Sequence, residues 1–364
     1  MPSEPDPIPI ANPDFGREEK RRVAEVLDSG MVADGPIVRE FEAEFAAFCG
    51  VDHGVATSNG TTALQTAFEA LDLGGGDRIL TTPFSFIASA NAIQLCGAEP
   101  VFADIDPETY NLDPDAVVET IETYDGAIDA ILAVHLYGLP ADVERLREIA
   151  AEYDLLLIED AAQAHGATVS ETRVGAFGDA ACFSFYPTKN MTTGEGGMVV
   201  TDDGHVADRA ARFVNHGRSD TYEHVDVGHN FRLTSIAAAI GRAQLEKLPA
   251  YVEARRENAA RLTAGLADTP VETPIEPADR RHVYHQYTIR TERRDELLEH
   301  LDAHDIGAGI YYPVAIHEQP AYDAFDVSAP IAEAATEEVL SIPVHPSINE
   351  HDIDRIVDAV RGFF

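Results

Sequence analysis

Between residues 54 and 201 the chain alternates short apolar runs with stretches of helical periodicity. The runs are GVAT (54–57), RILT (78–81), PVFAD (100–104), DAILAVH (129–135), LLLIE (155–159), AACFSF (180–185) and GMVVT (197–201). Amphipathic segments such as TTALQTAFEALDL and DAVVETIETY lie between several of them. Threonine or aspartate stands at their starts, where capping side chains belong. Seven buried strands with intervening helices predict an α/β fold, with a mainly parallel seven-stranded sheet covered on both faces. The GGGD at 74–77 precedes a strand and reads as a turn.

After about residue 232 the texture changes. SIAAAIGRAQLEKLPAYVEARRENAARLTAGL reads as a long helix, allowing a break near Pro249. A proline-containing loop follows, then a strand in VYHQYTIR, a helix around RDELLEHLDAH, a strand in GAGIYYPV and a closing helix HDIDRIVDAVRGFF. The expected division is a leading segment plus large domain over residues 1–235, and a linking helix plus smaller C-terminal α+β domain over 236–364. The first 30 residues, amphipathic around REEKRRVAEVLDSG, are expected to pack on one of these domains or across a partner chain.

Charge narrows the functional classes. The chain has 364 residues, 26 basic against 64 acidic, and a formal charge of −38. Such a balance repels phosphate backbones and anionic membrane surfaces, so no nucleic-acid or membrane partner is expected. With 45% hydrophobic residues the chain can bury a core and is not a disordered polyelectrolyte. Of the 26 basic residues only three are lysine: Lys20, Lys189 and Lys247. Acids spread along the whole chain would repel one another in dilute buffer, which points to adaptation to high salt. Three cysteines, Cys49, Cys96 and Cys182, share no CxxC spacing, and neither a disulfide scaffold nor a zinc ribbon is expected. The start carries no basic and apolar leader, and no run of about 18 apolar residues is present, so the reading is a cytoplasmic globular protein.

Ligands of open α/β sheets bind beyond the carboxyl ends of the strands. After GVAT comes SNGTTAL, where Gly60, Thr61 and Thr62 open a helix; this is a phosphate cradle or only a good helix cap. After LLLIE comes Asp160, with Gln163 three residues on. His165 is a neighbour of the site or a satisfied interior histidine, the second reading being preferred. Lys189 ends the aromatic run FSFYPTK, whereas Lys20 and Lys247 read as solvated helix positions. Arginine cannot replace lysine as an imine-forming amine, because its guanidinium stays protonated. A desolvated lysine loses its proton more easily and can attack a carbonyl. A phosphate cradle, a strand-end acid, a glutamine and an amine together meet the needs of pyridoxal 5'-phosphate. Lys189 would link to its aldehyde, Asp160 would hold the pyridine nitrogen protonated, and Ser184 with the SNGTT turn would take the phosphate. No GxGxxG follows any run, so a nicotinamide site is disfavoured. The histidines complete no thiolate or carboxylate pattern, and no metal is expected.

At these residues the chain resembles the DegT/DnrJ/StrS-type sugar aminotransferases, fold-type-I pyridoxal-phosphate enzymes. The likeness runs from GPIVREFEAEFAAFCG through SNGTTAL, PVFADIDPETYNLDP, VHLYGLPAD, IEDAAQAHGA, GDAACFSFYPTKN, TTGEGGMVV, NHGR, GHNFRL and YYPVAIHEQPAY to VLSIPVHP. It implies that Lys189 is the Schiff-base lysine, that Asp160 partners the pyridine nitrogen and that Gln163 contacts the ring hydroxyl. It further implies Gly60, Thr61, Thr62 and Ser184 as phosphate ligands and Phe86 as the aromatic stacked on the ring. Asn230 would reach the phosphate of a neighbouring subunit, making a homodimer with shared sites. Tyr312 and His317 are candidates for substrate contact, and His216, in NHGR, for the rim of the site. The chain departs from the pattern at Tyr311, where relatives can carry histidine.

The expected function is amino transfer from L-glutamate to a nucleotide-linked keto sugar for glycan assembly. The alternatives are a pyridoxal-phosphate enzyme on another keto substrate, or a cofactor-bound regulatory protein without turnover. If the acidic surface reflects adaptation to salt, the melting temperature should rise markedly between dilute buffer and molar KCl. Equal melting in the two would remove that inference.

Overall fold

The structure is a computed structural model and describes residues 6–364. All seven apolar runs form strands of one sheet. Their order across it is 53–57, 197–201, 180–184, 156–160, 130–134, 78–81 and 99–102. Every pairing is parallel except those made by Gly197–Thr201, which runs antiparallel to both of its neighbours.

Alternation along the strands divides the core. Ile79, Leu132 and Ile158 face the core of helices Gly60–Ala70 and Gly204–Phe213. Leu80, Ile131 and Leu157 face helix Val143–Tyr153 on the other side. Phe41 and Phe45 of helix Pro36–Cys49 pack against Phe183 and Phe185, with Phe45 edge-on to both. The helix starts follow their capping residues. Asn59 accepts from the Thr62 N–H at 2.9 Å, and Asp113, Asp142, Asp203 and Thr234 cap their helices in the same way. The GGGD segment is a turn, its Asp77 N–H donating to the Gly74 carbonyl at 3.0 Å.

The C-terminal part holds a second core. Leu262 and Leu266 from the long helix, Tyr287, Ile289, Leu340 and Ile342 from an antiparallel strand pair, and Ile356 from the closing helix meet there. Ile8 joins this core, because the leading segment bridges to Ile306. Helix Arg17–Ser29 then packs on helix Ser235–Leu266 of the same chain. Lys247 is not a solvated position. Its amine lies 2.6 Å from Glu19, a carboxylate only 2% exposed.

Two expected features of this part differ. Helix Ser235–Leu266 runs through Pro249 without a break, since the buried flanking residues Leu248 and Val252 hold both halves against the core of Phe41 and Phe45. GAGIYYPV forms no strand. Gly309 exchanges two hydrogen bonds with Ser341 in an isolated bridge that extends no further. The partner of Tyr287–Arg290 is instead Val339–Ile342.

The segment after strand Leu156–Asp160 is organised by Glu159, which is fully buried. Its carboxylate accepts backbone N–H bonds from Gly175, Phe177 and Gly178 at 2.8–3.0 Å. It also lies 2.9 Å from His135 Nε2. His135 Nδ1 accepts from the Ala141 N–H at 3.0 Å, so the ring proton is on Nε2 and is donated to Glu159. Removing the carboxylate strands four donors in the interior. Glu159→Ala should cost about 3–5 kcal/mol in chemical denaturation at high salt; a loss under about 1 kcal/mol would contradict this role.

Candidate active site

Strand ends and one helix start converge at the carboxyl edge of the sheet. Asp160 ends its strand beside Cys182 of the next one and is 6% exposed. Its Oδ2 accepts from the Ser89 hydroxyl at 2.7 Å, and its Oδ1 from the Ala162 N–H at 3.2 Å. Ser89 was not among the residues singled out from sequence; in TTPFSFIASA it is one small residue among several. Its neighbour Ser85 lies 3.1 Å away, so a short hydroxyl chain leads to the carboxylate.

Lys189 lies five residues beyond the end of strand Ala180–Ser184, in a turn closed by its own N–H bonding to the Tyr186 carbonyl. Burial lowers its pKa to about 8, and the charge of Asp160 partly offsets the shift. Acid and amine are therefore within electrostatic reach of one another. Behind the amine, His165 packs on Phe45, Phe183 and Phe185, and both of its ring nitrogens lack partners. It is an interior histidine, as preferred, but not a satisfied one. Burial, aided by Lys189, pulls its pKa down to about 3, so it adds no charge to the site.

Gln163 is held at both ends of its amide. Its Oε1 accepts from the Tyr137 N–H at 2.8 Å, and its Nε2 donates to Tyr312 Oη at 3.4 Å. That requires a tight turn at Tyr137 and Gly138, both at positive φ. A Cβ on Gly138 would come within 2.8 Å of the His285 nitrogen, so only glycine fits. Tyr312 is tied in from the C-terminal part, and the Tyr137 hydroxyl donates to the neighbouring Tyr311 carbonyl. Phe86 is 55% exposed and its ring centre is 6.0 Å from that of Tyr312.

Gly60 and Ser184 meet across the sheet edge. A Cβ on Gly60 would stand 2.7 Å from the Ser184 Cβ, so the helix start approaches the strand with bare backbone. First-turn N–H groups have no partner within their own helix. The Asn59 cap takes that of Thr62, leaving those of Gly60 and Thr61 facing outward. The Thr62 hydroxyl is already committed, donating to the Asn59 carbonyl at 2.8 Å, so its service to an anion is through the cap.

Three expected residues stand apart from this cluster. Asn230 is exposed on a loop bridged to Asn215, and its side chain makes no hydrogen bond among the described residues. His216 lies on the same surface loop, its carbonyl 2.8 Å from His224 Nδ1. His317 is buried beside Phe102, with Nε2 3.2 Å from Glu333. No bond joins it to Asp160, Gln163 or Lys189.

The residues fit pyridoxal phosphate. A glycine-lined helix start beside Ser184 suits a dianionic phosphate, a buried carboxylate suits a protonated ring nitrogen, and a desolvated amine suits an aldehyde. Among the described residues no cluster of three metal-ligating side chains occurs, and no helix is long and apolar enough to cross a membrane.

Known proteins resemble this chain along most of its length. The model of the DegT/DnrJ/EryC1/StrS aminotransferase family matches residues 13–361. The chain is 42% identical over 349 residues to a dTDP-3-amino-3,4,6-trideoxy-alpha-D-glucose transaminase of Streptomyces venezuelae, covering 94% of this chain and 91% of that one. It is 40% identical over 354 residues to a pleiotropic regulatory protein of Geobacillus stearothermophilus, covering 95% and 94%. The crystal structure of S. venezuelae DesV in complex with a ketimine intermediate superposes with a TM-score of 0.92 at 41% identity, covering 95% and 94%.

The titration of Lys189 is directly measurable. Imine formation between the cofactor-free protein and added pyridoxal phosphate should speed up about tenfold per pH unit below about 8 and level off above it. Asp160→Asn should move that inflection to lower pH, because the acid favours the charged amine. A profile inflecting near an ordinary lysine value would contradict the desolvated amine.

Proposed function

The chain belongs to the DegT/DnrJ/EryC1/StrS aminotransferase family, and we propose that Lys189, Asp160 and their neighbours make it a transaminase of nucleotide-linked sugars through specific roles. The protein is a pyridoxal-phosphate-dependent enzyme that aminates a nucleotide-linked keto sugar. The observation that carries the assignment of roles is that the buried Asp160 carboxylate, held by Ser89, and the Lys189 turn meet at the carboxyl edge of the sheet.

When bound, pyridoxal phosphate supplies an aldehyde for the amine and a ring that spreads the electrons of a broken C–H bond. Lys189 would take the proton from the carbon being deaminated and return it in a 1,3-shift, its lowered pKa suiting both directions. Asp160, fixed by Ser89, holds a proton at the ring nitrogen. Gln163 orients the ring edge, Phe86 covers one face, and Gly60, Thr61 and Ser184 fix the phosphate, with Thr62 bracing the cap. Tyr312 faces the substrate side through its bond to Gln163. His317, paired with Glu333, positions the loop after Tyr312 without touching the reacting atoms.

L-Glutamate is the proposed donor. Asn230, exposed and without a side-chain partner among the described residues, would complete the site of a second subunit, making the working unit a homodimer. The proposed division falls at residues 235 and 236, with Leu262, Tyr287 and Ile356 in a core beyond it, while Ile8 crosses into that core and Leu248 and Val252 pack back on the core of Phe41 and Phe45. A cytoplasmic, salt-adapted enzyme in polysaccharide biosynthesis agrees with the acidic, arginine-rich composition. The likeness to a pleiotropic regulatory protein favours a second reading, a cofactor-bound regulator without turnover.

The test is a screen of dTDP-, UDP- and GDP-linked keto sugars with L-glutamate in molar KCl, following 2-oxoglutarate release. One or more sugars should be aminated, and Lys189→Ala should abolish both the turnover and the visible imine band. A wild-type visible band that L-glutamate leaves unchanged would favour the regulator.

A further inference from the structure

Strand His53–Thr57 stands at one edge of the main sheet, paired with Gly197–Thr201 on its inner side. An edge strand points part of its N–H groups away from the sheet, and a buried one needs an acceptor. At Ala56, which is buried, that acceptor is a side chain. Glu42 of helix Pro36–Cys49, 6% exposed, takes the Ala56 N–H on Oε1 at 2.8 Å. The helix also comes in close with its backbone, since a Cβ on Gly54 would stand 2.7 Å from the Glu42 carbonyl oxygen. One residue thus meets the strand twice, and the outer side is completed by an isolated bridge from Thr57 to Arg232.

A buried carboxyl is a costly acceptor. Burial pushes its pKa up to about 7, against the pull of Arg39, whose Nε lies 3.1 Å from Oε2. Arg39 is itself exposed and is shared with Asp34 at 2.8 Å. Oε1 keeps a lone pair for Ala56 whether or not Oε2 carries a proton, so the bond to the strand survives in either state.

What this bond holds lies four residues on. Ala56 leads through Ser58 and Asn59 to the bare Gly60 start of the phosphate cradle. The Thr57 hydroxyl donates to the Asn59 carbonyl at 2.9 Å, and the same carbonyl takes the Thr62 hydroxyl. From the sheet side, a Cβ on Gly197 would overlap that carbonyl and come within 2.6 Å of Thr57 Oγ1. The turn is gripped by Gly197 on one side and, through Ala56, by Glu42 on the other.

We propose that Glu42 is a positioning residue for the phosphate cradle, fixing through the Ala56 N–H where the Gly60 and Thr61 amides point. This role rests on the pyridoxal-phosphate reading of the site and adds to it a residue on the far side of the edge strand. Its effect falls on the phosphate alone, because Asp160 and Lys189 are carried by strands Leu156–Asp160 and Ala180–Ser184.

The test titrates the full-length chain, freed of cofactor and kept in molar KCl, with pyridoxal phosphate and with pyridoxal, which lacks the phosphate. The visible imine band reports both. Glu42→Met fills the space without an acceptor, and Glu42→Gln keeps one. Glu42→Met should weaken pyridoxal phosphate at least tenfold and leave pyridoxal within about twofold of wild type. Glu42→Gln should bring pyridoxal phosphate back to within about threefold. Equal weakening of both ligands would show a merely structural residue and overturns the proposal, as does wild-type affinity in Glu42→Met. In the wild type, saturating pyridoxal phosphate should slow hydrogen exchange at the Ala56 amide at least threefold, and pyridoxal should not, because clamp and cradle are linked. Unchanged exchange overturns the proposal even if Glu42→Met does not fold. A wild type that binds both ligands alike removes the cradle and the role of Glu42 together. One that gains affinity from the phosphate yet aminates no sugar loses only the reaction, and the role of Glu42 stands.

Discussion

The site depends on a carboxylate that does no chemistry. Glu159 gathers three backbone N–H groups and the His135 imidazole in the interior, and so fixes both the return loop at 175–178 and the turn after strand Ala130–Val134. Adjacent residues on a strand point to opposite faces. With Glu159 locked on one side, Asp160 is presented on the other, toward Ser89 and the amine. A buried charge with four donors is costly to leave half satisfied, which makes this arrangement all-or-none. The precision of the acid therefore comes from its neighbour in sequence.

Much of this was legible in the chain before folding was considered. All seven strands of the main sheet are continuous apolar runs, and such runs are unambiguous when both faces are covered by helices. Lys189 and Asp160 were legible because they follow such runs. The C-terminal part was harder to read. VLSI is short, follows a helix directly, and becomes a strand only because Tyr287–Arg290 lies beside it. Pro249 left room for a break because a local rule ignores the packing of Leu248 and Val252.

The site's supporting residues were less visible still. Ser89 matters through one hydrogen bond, and nothing in a run of small residues advertises its partner. Glu42 stands in REFEAEF, one of three acids that read alike as solvated helix positions, and its burial distinguishes it from the exposed Glu40 and Glu44. Lys247 was misread for the same reason. Composition tells how many charges exist; the distribution of acids decides which of them are answered. Most arginines here are: Arg242, for example, is bracketed by Glu40 and Glu44.

The leading segment carries a consequence for how the molecule is made. Ile8 is part of the C-terminal core through its bridge to Ile306, and the Pro9 carbonyl lies 2.9 Å from His345 Nε2. Domains ordinarily fold in the order in which they leave the ribosome. Residues 8 and 9 therefore find their neighbours some 300 positions further along the chain, at Ile306 and His345. The strands of the large sheet, all between residues 53 and 201, pair without any of these contacts. Docking of the leading strap thus waits on synthesis of the C-terminal part, whereas pairing within the sheet does not.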